Sequence, residues 1–242
     1  MTSYAAVLLG RPQQLQWSVE NVSRQREKLQ LLVVESGDAV GECARQGVTP
    51  DLLVVSTERH SGASRNAALE AIRAKGGGPV LFFDDDDWYG PEYSTEALGA
   101  LSSGRATVVG KQQHFVSYKD QWLFLFNRQR ANSPHQLSVV GPTIAVRAED
   151  AVPFQSRFRD DLFWCDQMRR KGARFESTSI HHFMYRRHDS NYTGKLTVDQ
   201  MIWFAGRGIC VGKPDTRIIT GELPVPTGYP VQPYKKFRPE AA

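Results

Sequence analysis

The residues best suited to chemistry are four consecutive aspartates, Asp84 to Asp87, in the stretch "PVLFFDDDDWY". The apolar run at 79–83 predicts a buried strand that ends where the carboxylates begin. Adjacent carboxylates repel one another, and low-dielectric surroundings strengthen the repulsion, so the run is costly unless a cation or hydrogen-bond donors offset it. Hard oxygen ligands of this kind suit Mg²⁺ or Mn²⁺, which usually act on phosphates. We therefore expect one of these two ions as the cofactor.

Strand-like and helix-like segments alternate through the first hundred residues. The runs "YAAVLLG", "LQLLVV", "DLLVVS" and "PVLFF" predict strands, while "QLQWSVENVSRQRE" and "ASRNAALEAIRAKGGG" have the spacing of helices. Such alternation predicts an α/β fold whose central sheet is mostly parallel, with helices on both faces. Ligands of these sheets bind at the carboxyl ends of the strands. The aspartate run is predicted to lie at such an end.

The second half of the chain has a different pattern. The stretch "RATVVGKQQHFVSYKDQWLFLFN" is aromatic and alternating, which predicts antiparallel strands or a hairpin as a small addition. A strand in "SVVGPTIAVR", a helix in "DDLFWCDQMRRKG" and a strand pair in "RFESTSIHHFMYRRH" are predicted next. The end is rich in proline and glycine, which favours an extended or mobile tail. We expect one domain over 1–205 and a basic extension over 206–242.

Composition excludes several classes of protein. At 242 residues, 40% hydrophobic and 23% charged, the chain is an ordinary globular sequence. No apolar run approaches the roughly 18 residues of a membrane span, and the N-terminus lacks a basic signal-peptide region, so a cytoplasmic location is expected. The three cysteines are widely spaced and predict buried free thiols. Without GxGxxG or GxxxxGK[ST], neither a dinucleotide dehydrogenase nor a P-loop enzyme is indicated.

Several motifs, taken in order, resemble the signatures of family 2 glycosyltransferases with the GT-A fold. They are "YAAVLLGRP", "LQLLVVESG", "GASRNAALEA", "GGGPVLFFDDDDWYGPEY", "RFRDDLFWCDQMRRKGARF" and "YRRHDSN", and they cover roughly the first four-fifths of the chain. An ordered series is a stronger signal than any single motif. The resemblance implies a nucleotide-sugar donor, a DxD metal motif and inversion at the anomeric carbon. Among nucleotide sugars it favours a UDP-sugar. A net charge of +4 is compatible with such an anionic donor.

The resemblance also implies a role for individual residues. Asp161 matches the general base of the family's "ED" pair, and Asp160 stands where the family has glutamate. The metal positions are matched by Asp86 and His188. The donor-binding positions lie after the first three strands and at the start of the DxD motif, and they correspond to Arg11, Glu35, Arg65, Asp84 and Asp85. Glu35 replaces the family's base-binding aspartate, Arg65 belongs to an "RN" pair beside the phosphates, and the fourfold run leaves the DxD register open by one residue.

Two other functions stay open at this point. A haloacid-dehalogenase-like phosphatase also has a DxDx[TV] loop after an apolar strand, although that motif normally follows the first strand and needs Thr or Val where this chain has Trp88. A relative of the family that binds nucleotide sugar without turnover is the second alternative. The sequence does not determine the acceptor: glycans, lipid-linked sugars and hydroxymethylated bases in DNA are all candidates. It does not determine the oligomeric state either.

Overall fold

A computed structural model of the chain describes residues 2–120, 122–127, 138–155, 160–187, 209–212, 214–225 and 229–230. The strands are β1 (Tyr4–Leu9), β2 (Gln30–Ser36), β3 (Leu52–Ser56), β4 (Pro79–Asp84), β5 (Trp88–Tyr89), β6 (Val108–Gly110), β7 (Gln113–Tyr118), β8 (Trp122–Asn127), β9 (Ala145–Arg147), β10 (Phe175–Ser177), β11 (Phe183–Arg187), β12 (Ile209–Gly212) and β13 (Tyr229–Pro230). The α-helices are α1 (Leu15–Ser23), α2 (Glu42–Gln46), α3 (Ser61–Ala74), α4 (Tyr93–Ser102), α5 (Asp160–Arg170) and α6 (Thr216–Ile219).

The larger sheet has seven strands in the order β10-β6-β9-β4-β1-β2-β3. Strands β4, β1, β2 and β3 are parallel neighbours, and β9 is antiparallel to both β4 and β6. Alternate residues of β1 face opposite layers: Ala6 and Leu8 pack with α3 and α5, whereas Ala5 and Val7 pack with α1 and α4. Strands covered on both faces are apolar throughout, which explains the continuous apolar runs. The predicted mostly parallel sheet with helices on both faces is confirmed.

The smaller sheet has six strands in the order β13-β12-β8-β7-β11-β5. The predicted aromatic hairpin is confirmed as β7 and β8, which are antiparallel. Strands β10 and β11 were expected to pair, and this is wrong: β10 pairs with β6 of the larger sheet, and β11 pairs with β5 and β7. The chain bends at Ile180 and His182 as it passes from one sheet to the other. Local pattern predicts a strand but not its partner.

Part of the C-terminal extension belongs to the folded core. Strands β12 and β13 join the smaller sheet, and Ile218 and Ile219 of α6 are buried in an apolar cluster with Trp88 and Phe115. The expected extended tail is therefore wrong for 216–219, because two adjacent isoleucines stabilise a short helix by burial. Cys43 and Cys165 are buried free thiols, as predicted. Among the described residues, none of the helices has both the length and the hydropathy to cross a membrane.

A buried lysine joins the two sheets. The side chain of Lys111 has no exposed surface, and its Nζ donates to Glu96 Oε2 at 3.1 Å, Thr178 Oγ1 at 3.0 Å and the Ser179 carbonyl at 2.7 Å. These bonds tie α4 to the segment between β10 and β11. Burial lowers the pKa of Lys111 to about 8, although the ion pair with Glu96 opposes the shift.

This lowered pKa predicts a pH-dependent stability. Between pH 8 and 10.5 the unfolded chain holds the Lys111 proton while the folded chain has lost it, so stability rises with pH in that window. As the pH rises from 8 to 10.5, we expect the free energy of unfolding of the wild type to increase relative to that of Lys111→Met by on the order of 2 kcal/mol. Denaturant unfolding of both proteins at several pH values measures this difference in free energy. The other lysines titrate alike in the two proteins, so their contribution cancels. A difference that does not change with pH would contradict the prediction.

Candidate functional site

A cleft opens at the carboxyl ends of β1, β2 and β4. Its position is where ligands of parallel sheets bind. Of the residues singled out by the sequence, it is lined by Arg11, Asp84, Asp85 and Asp86. The serines Ser36, Ser61 and Ser64 and one arginine, Arg59, complete much of the wall. The strand ends therefore bring the aspartate run together with the loop that follows β1.

Asp85 holds that loop in place. The backbone N–H groups of Gly10 and Arg11 both donate to Asp85 Oδ2 at 2.9 Å, and Arg11 Nη1 lies 2.9 Å from Asp85 Oδ1. The same Arg11 Nη1 lies 2.6 Å from Asp86 Oδ2. Asp87 is fully buried, and its Oδ1 accepts from the backbone N–H of Arg186 at 2.9 Å. The four aspartates thus have different environments, which their shared identity in the sequence conceals.

Crowding and burial disfavour the ionised forms of these carboxylates. Burial raises the pKa of Asp84 to about 7, an effect that Arg65 opposes and that Asp86 and Asp85 strengthen. Burial likewise raises the pKa of Asp85 to about 6, with Arg11 opposing and Asp86 adding to the shift. A positive ion in the cleft would stabilise the ionised forms.

The donor set fits a hard divalent cation. Within the described ranges, no three His, Cys, Asp or Glu side chains are grouped so that they could hold a metal ion on their own. Mg²⁺, however, is commonly held by one or two carboxylates together with the phosphates of a substrate, and Asp84 and Asp86 supply carboxylates at the cleft. His188, the other predicted metal ligand, lies outside the described residues.

Glu35 is directed at the backbone of the segment after β2. It is 1% exposed, and its two carboxylate oxygens accept from the backbone N–H groups of Gly41 and Cys43, each at 2.6 Å. These bonds fix the turn before α2, where Gly41 has a φ of 81° that suits glycine. The adjacent Ser36 lines the cleft instead, and its Oγ donates to the Leu9 carbonyl at 3.3 Å. Contact of Glu35 with a nucleotide base stays a prediction.

Sequence reasoning missed Ser36 and Arg59 as cleft residues. The motif "LQLLVVESG" contains Ser36 but gives it no role, and Arg59 belongs to no recognisable motif. Only the alternation along β2 and the length of the loop after β3 bring these two residues to the cleft. Arg59 forms an ion pair with Asp38, and its stem passes over Gly37, where a Cβ would lie 2.9 Å from Arg59 Cγ. Glycine at this position therefore allows the arginine to reach the cleft wall.

Arg65 lies between the aspartate run and α5. Its side chain is 3% exposed, Nη1 donates to Asp160 Oδ2 at 2.8 Å, and Nη2 donates to Asp84 Oδ1 at 3.3 Å. Its guanidinium carbon also lies 5.8 Å from the ring centroid of Phe82 and 5.4 Å from that of Phe154. Contact of Arg65 with donor phosphates stays a prediction.

The two acids that begin α5 have different partners. Asp160 is 6% exposed, and its Oδ2 accepts from Ser61 Oγ at 3.0 Å as well as from Arg65. Asp161 Oδ2 accepts from the backbone N–H of Gly141 at 3.2 Å. A Cβ on Gly141 would lie 3.3 Å from Arg65 Nη2, so Asp161 is close to the guanidinium that contacts Asp84. Asp161 therefore lies beside the aspartate end of the cleft.

Comparison with known proteins finds likeness in structure but not in sequence. No protein-family model matches the chain, and no curated protein matches it either. A solved structure of Staphylococcus aureus TarS 1-349 in complex with UDP-GlcNAc superposes with a TM-score of 0.57 at 16% identity, over 86% of this chain and 65% of that one. A structure of GalNAc-T7 with UDP, GalNAc and Mn²⁺ gives a TM-score of 0.58 at 10% identity, over 86% of this chain and 48% of that one.

The chain thus spans less than two thirds of each of these two proteins. Both have the GT-A fold, and at identities of 10% and 16% the likeness extends to the fold alone. The chain therefore has the GT-A fold.

Proposed function

We propose that the chain is a glycosyltransferase that moves a sugar from a nucleotide-sugar donor to an acceptor hydroxyl with inversion at the anomeric carbon. The observation that carries the proposal is the acidic cleft at the carboxyl ends of β1, β2 and β4 in a GT-A fold. Support for a UDP-sugar comes from TarS, solved with UDP-GlcNAc, and from GalNAc-T7, solved with UDP and Mn²⁺.

The donor would bind along the aspartate run. Asp85 keeps the loop after β1 in place, which leaves Asp84 and Asp86 as the spaced pair of a DxD motif. Mn²⁺ or Mg²⁺ held by Asp86 would neutralise charge on the diphosphate. Arg11 stands beside these carboxylates as a further positive group. Ser36 and Arg59 line the part of the cleft beyond β2, where the nucleoside would lie.

Asp161 is the proposed general base. Its neighbour Asp160 is committed to Ser61 and a buried ion pair with Arg65, which favours Asp161 over Asp160 for proton transfer. Asp161 stands in the first turn of α5, where the helix dipole stabilises a carboxylate. The acceptor oxygen would form its bond to the anomeric carbon as the bond from that carbon to the phosphate oxygen breaks. The hydroxyl proton passes to Asp161, and the electron pair of the broken bond leaves with the nucleoside diphosphate.

Incubation with a panel of nucleotide sugars and acceptors tests this function. We expect release of UDP from one UDP-sugar, in the presence of Mn²⁺ or Mg²⁺, and a mass increase of one hexose-type unit on one acceptor class. The panel includes glycans, lipid-linked sugars and hydroxymethylated DNA, and mass spectrometry identifies the product. Tight binding of a nucleotide sugar without any release of nucleotide would instead indicate a non-catalytic relative, and hydrolysis of a phosphate monoester would indicate a phosphatase.

A further inference from the structure

A buried cation joins two parts of the site that are far apart in sequence. Asp84 ends β4 and Asp160 begins α5, and the guanidinium of Arg65 contacts both carboxylates. Arg65 belongs to a third element, α3, so its side chain connects that helix to the end of β4 and to the start of α5. A planar guanidinium with several N–H donors suits such a bridge, whereas the compact ammonium of lysine does not.

The surroundings of Arg65 restrict its movement. Its guanidinium lies near the rings of Phe82 and Phe154, with 3% of the side chain exposed. Close packing of α3 on the segment before α5 adds to this restriction, because a Cβ on Gly62 would lie 2.6 Å from the Gln155 carbonyl oxygen. The ion pair with Asp160 is shielded from water, because the two side chains are only 3% and 9% exposed, so a phosphate that displaced Asp160 would leave a buried charge without its partner, which is costly.

We infer that Arg65 is a positioning residue, which holds the first turn of α5 against the end of β4 and so fixes Asp161 relative to the aspartate cleft. This inference rests on the proposed function. The path from Arg65 to Asp161 is short: Arg65 binds Asp160, the residue before Asp161, and Gly141 lies between the guanidinium and the Asp161 carboxylate. A displacement of about 1 Å in a catalytic group is enough to lower a rate by on the order of 10²-fold.

Arg65→Lys tests the inference because it keeps the charge but cannot bridge both carboxylates. We expect kcat for sugar transfer to fall about 10- to 100-fold. The Kd of the nucleotide sugar, measured by calorimetry, should change by less than about threefold, since no donor contact is removed. A tenfold or larger rise in Kd with kcat retained would identify Arg65 as a phosphate ligand and overturn the inference. An unchanged kcat would also overturn it.

A double-mutant cycle separates positioning from general damage to the fold. If Arg65 acts through Asp161, Arg65→Lys should slow an Asp161→Asn enzyme no further; a full additional loss would contradict the inference. Asp160→Asn leaves Arg65 in place but removes its charged partner. It should likewise lower kcat and leave the Kd of the nucleotide sugar nearly unchanged. Arg73→Lys is the matched control, because Arg73 is in the same helix and donates to two backbone carbonyls, those of Ala148 and Ala151. It should leave both constants unchanged.

Hydrogen exchange gives a readout that does not depend on activity. In Arg65→Lys, the amides of residues 164–167, which donate to the carbonyls of the first turn of α5, should exchange faster than in the wild type, while those of β1 should not change. If the wild type transfers no sugar, the proposed function fails, but the exchange result still decides whether Arg65 holds α5. Unchanged exchange in α5 would overturn the inference even in an active enzyme.

Discussion

Asp161→Asn is expected to lower the rate of sugar transfer by on the order of 10²- to 10⁴-fold. The amide has the shape of the carboxylate but cannot accept the proton of the acceptor hydroxyl. Its Oδ atom can still accept from the Gly141 N–H, so the local geometry should survive. Donor affinity should therefore remain close to that of the wild type.

Single-turnover kinetics and calorimetry with the nucleotide sugar measure these two effects separately. Asp160→Asn is the informative comparison, because Asp160 is the adjacent acid and is bound to Arg65 and Ser61. We expect it to lose less activity than Asp161→Asn. The reverse order, or loss of donor affinity together with the rate in Asp161→Asn, would show that the base is Asp160 or another group.

Asp86→Ala is expected to reduce transfer by on the order of 10²- to 10³-fold, because the leaving diphosphate would lose the charge stabilisation that a bound cation supplies. Chelation of the wild type should have the same effect, and added Mn²⁺ or Mg²⁺ should restore activity only to the wild type. Nucleotide release assayed before and after chelation provides the measurement.

Asp150→Ala serves as the control for loss of one negative charge. Asp150 is exposed and follows β9, whose Arg147 pairs with Pro79 at the start of β4, so it lies at the opposite end of that strand from the cleft. Its activity should match that of the wild type. Full turnover after exhaustive chelation, or in Asp86→Ala, would remove the metal from the proposed function.

The elements that carry a strong local pattern were predictable from the sequence. Helix α3 and strand β4 follow from apolar spacing and from the glycines at 76–78, and the β7–β8 hairpin follows from alternation. The location of the aspartates at a strand end is equally local. These features depend on residues near one another in the chain, and the periods of 2 and 3.6 record them directly.

Partners distant in sequence were decided only by the tertiary structure. Asp84, Asp85 and Asp86 are identical in type, but the loop 74 and 75 residues earlier selects Asp85 through the N–H groups of Gly10 and Arg11. Arg65, 95 residues from Asp160, likewise distinguishes Asp160 from the acid beside it. A hydrogen bond forms where a donor and an acceptor meet at close range and suitable angle, and the packing of α3, β4 and α5 determines that meeting. The chain by itself thus determined that acids would gather at the end of β4, while the contacts made in the folded state decided which of them hold the scaffold.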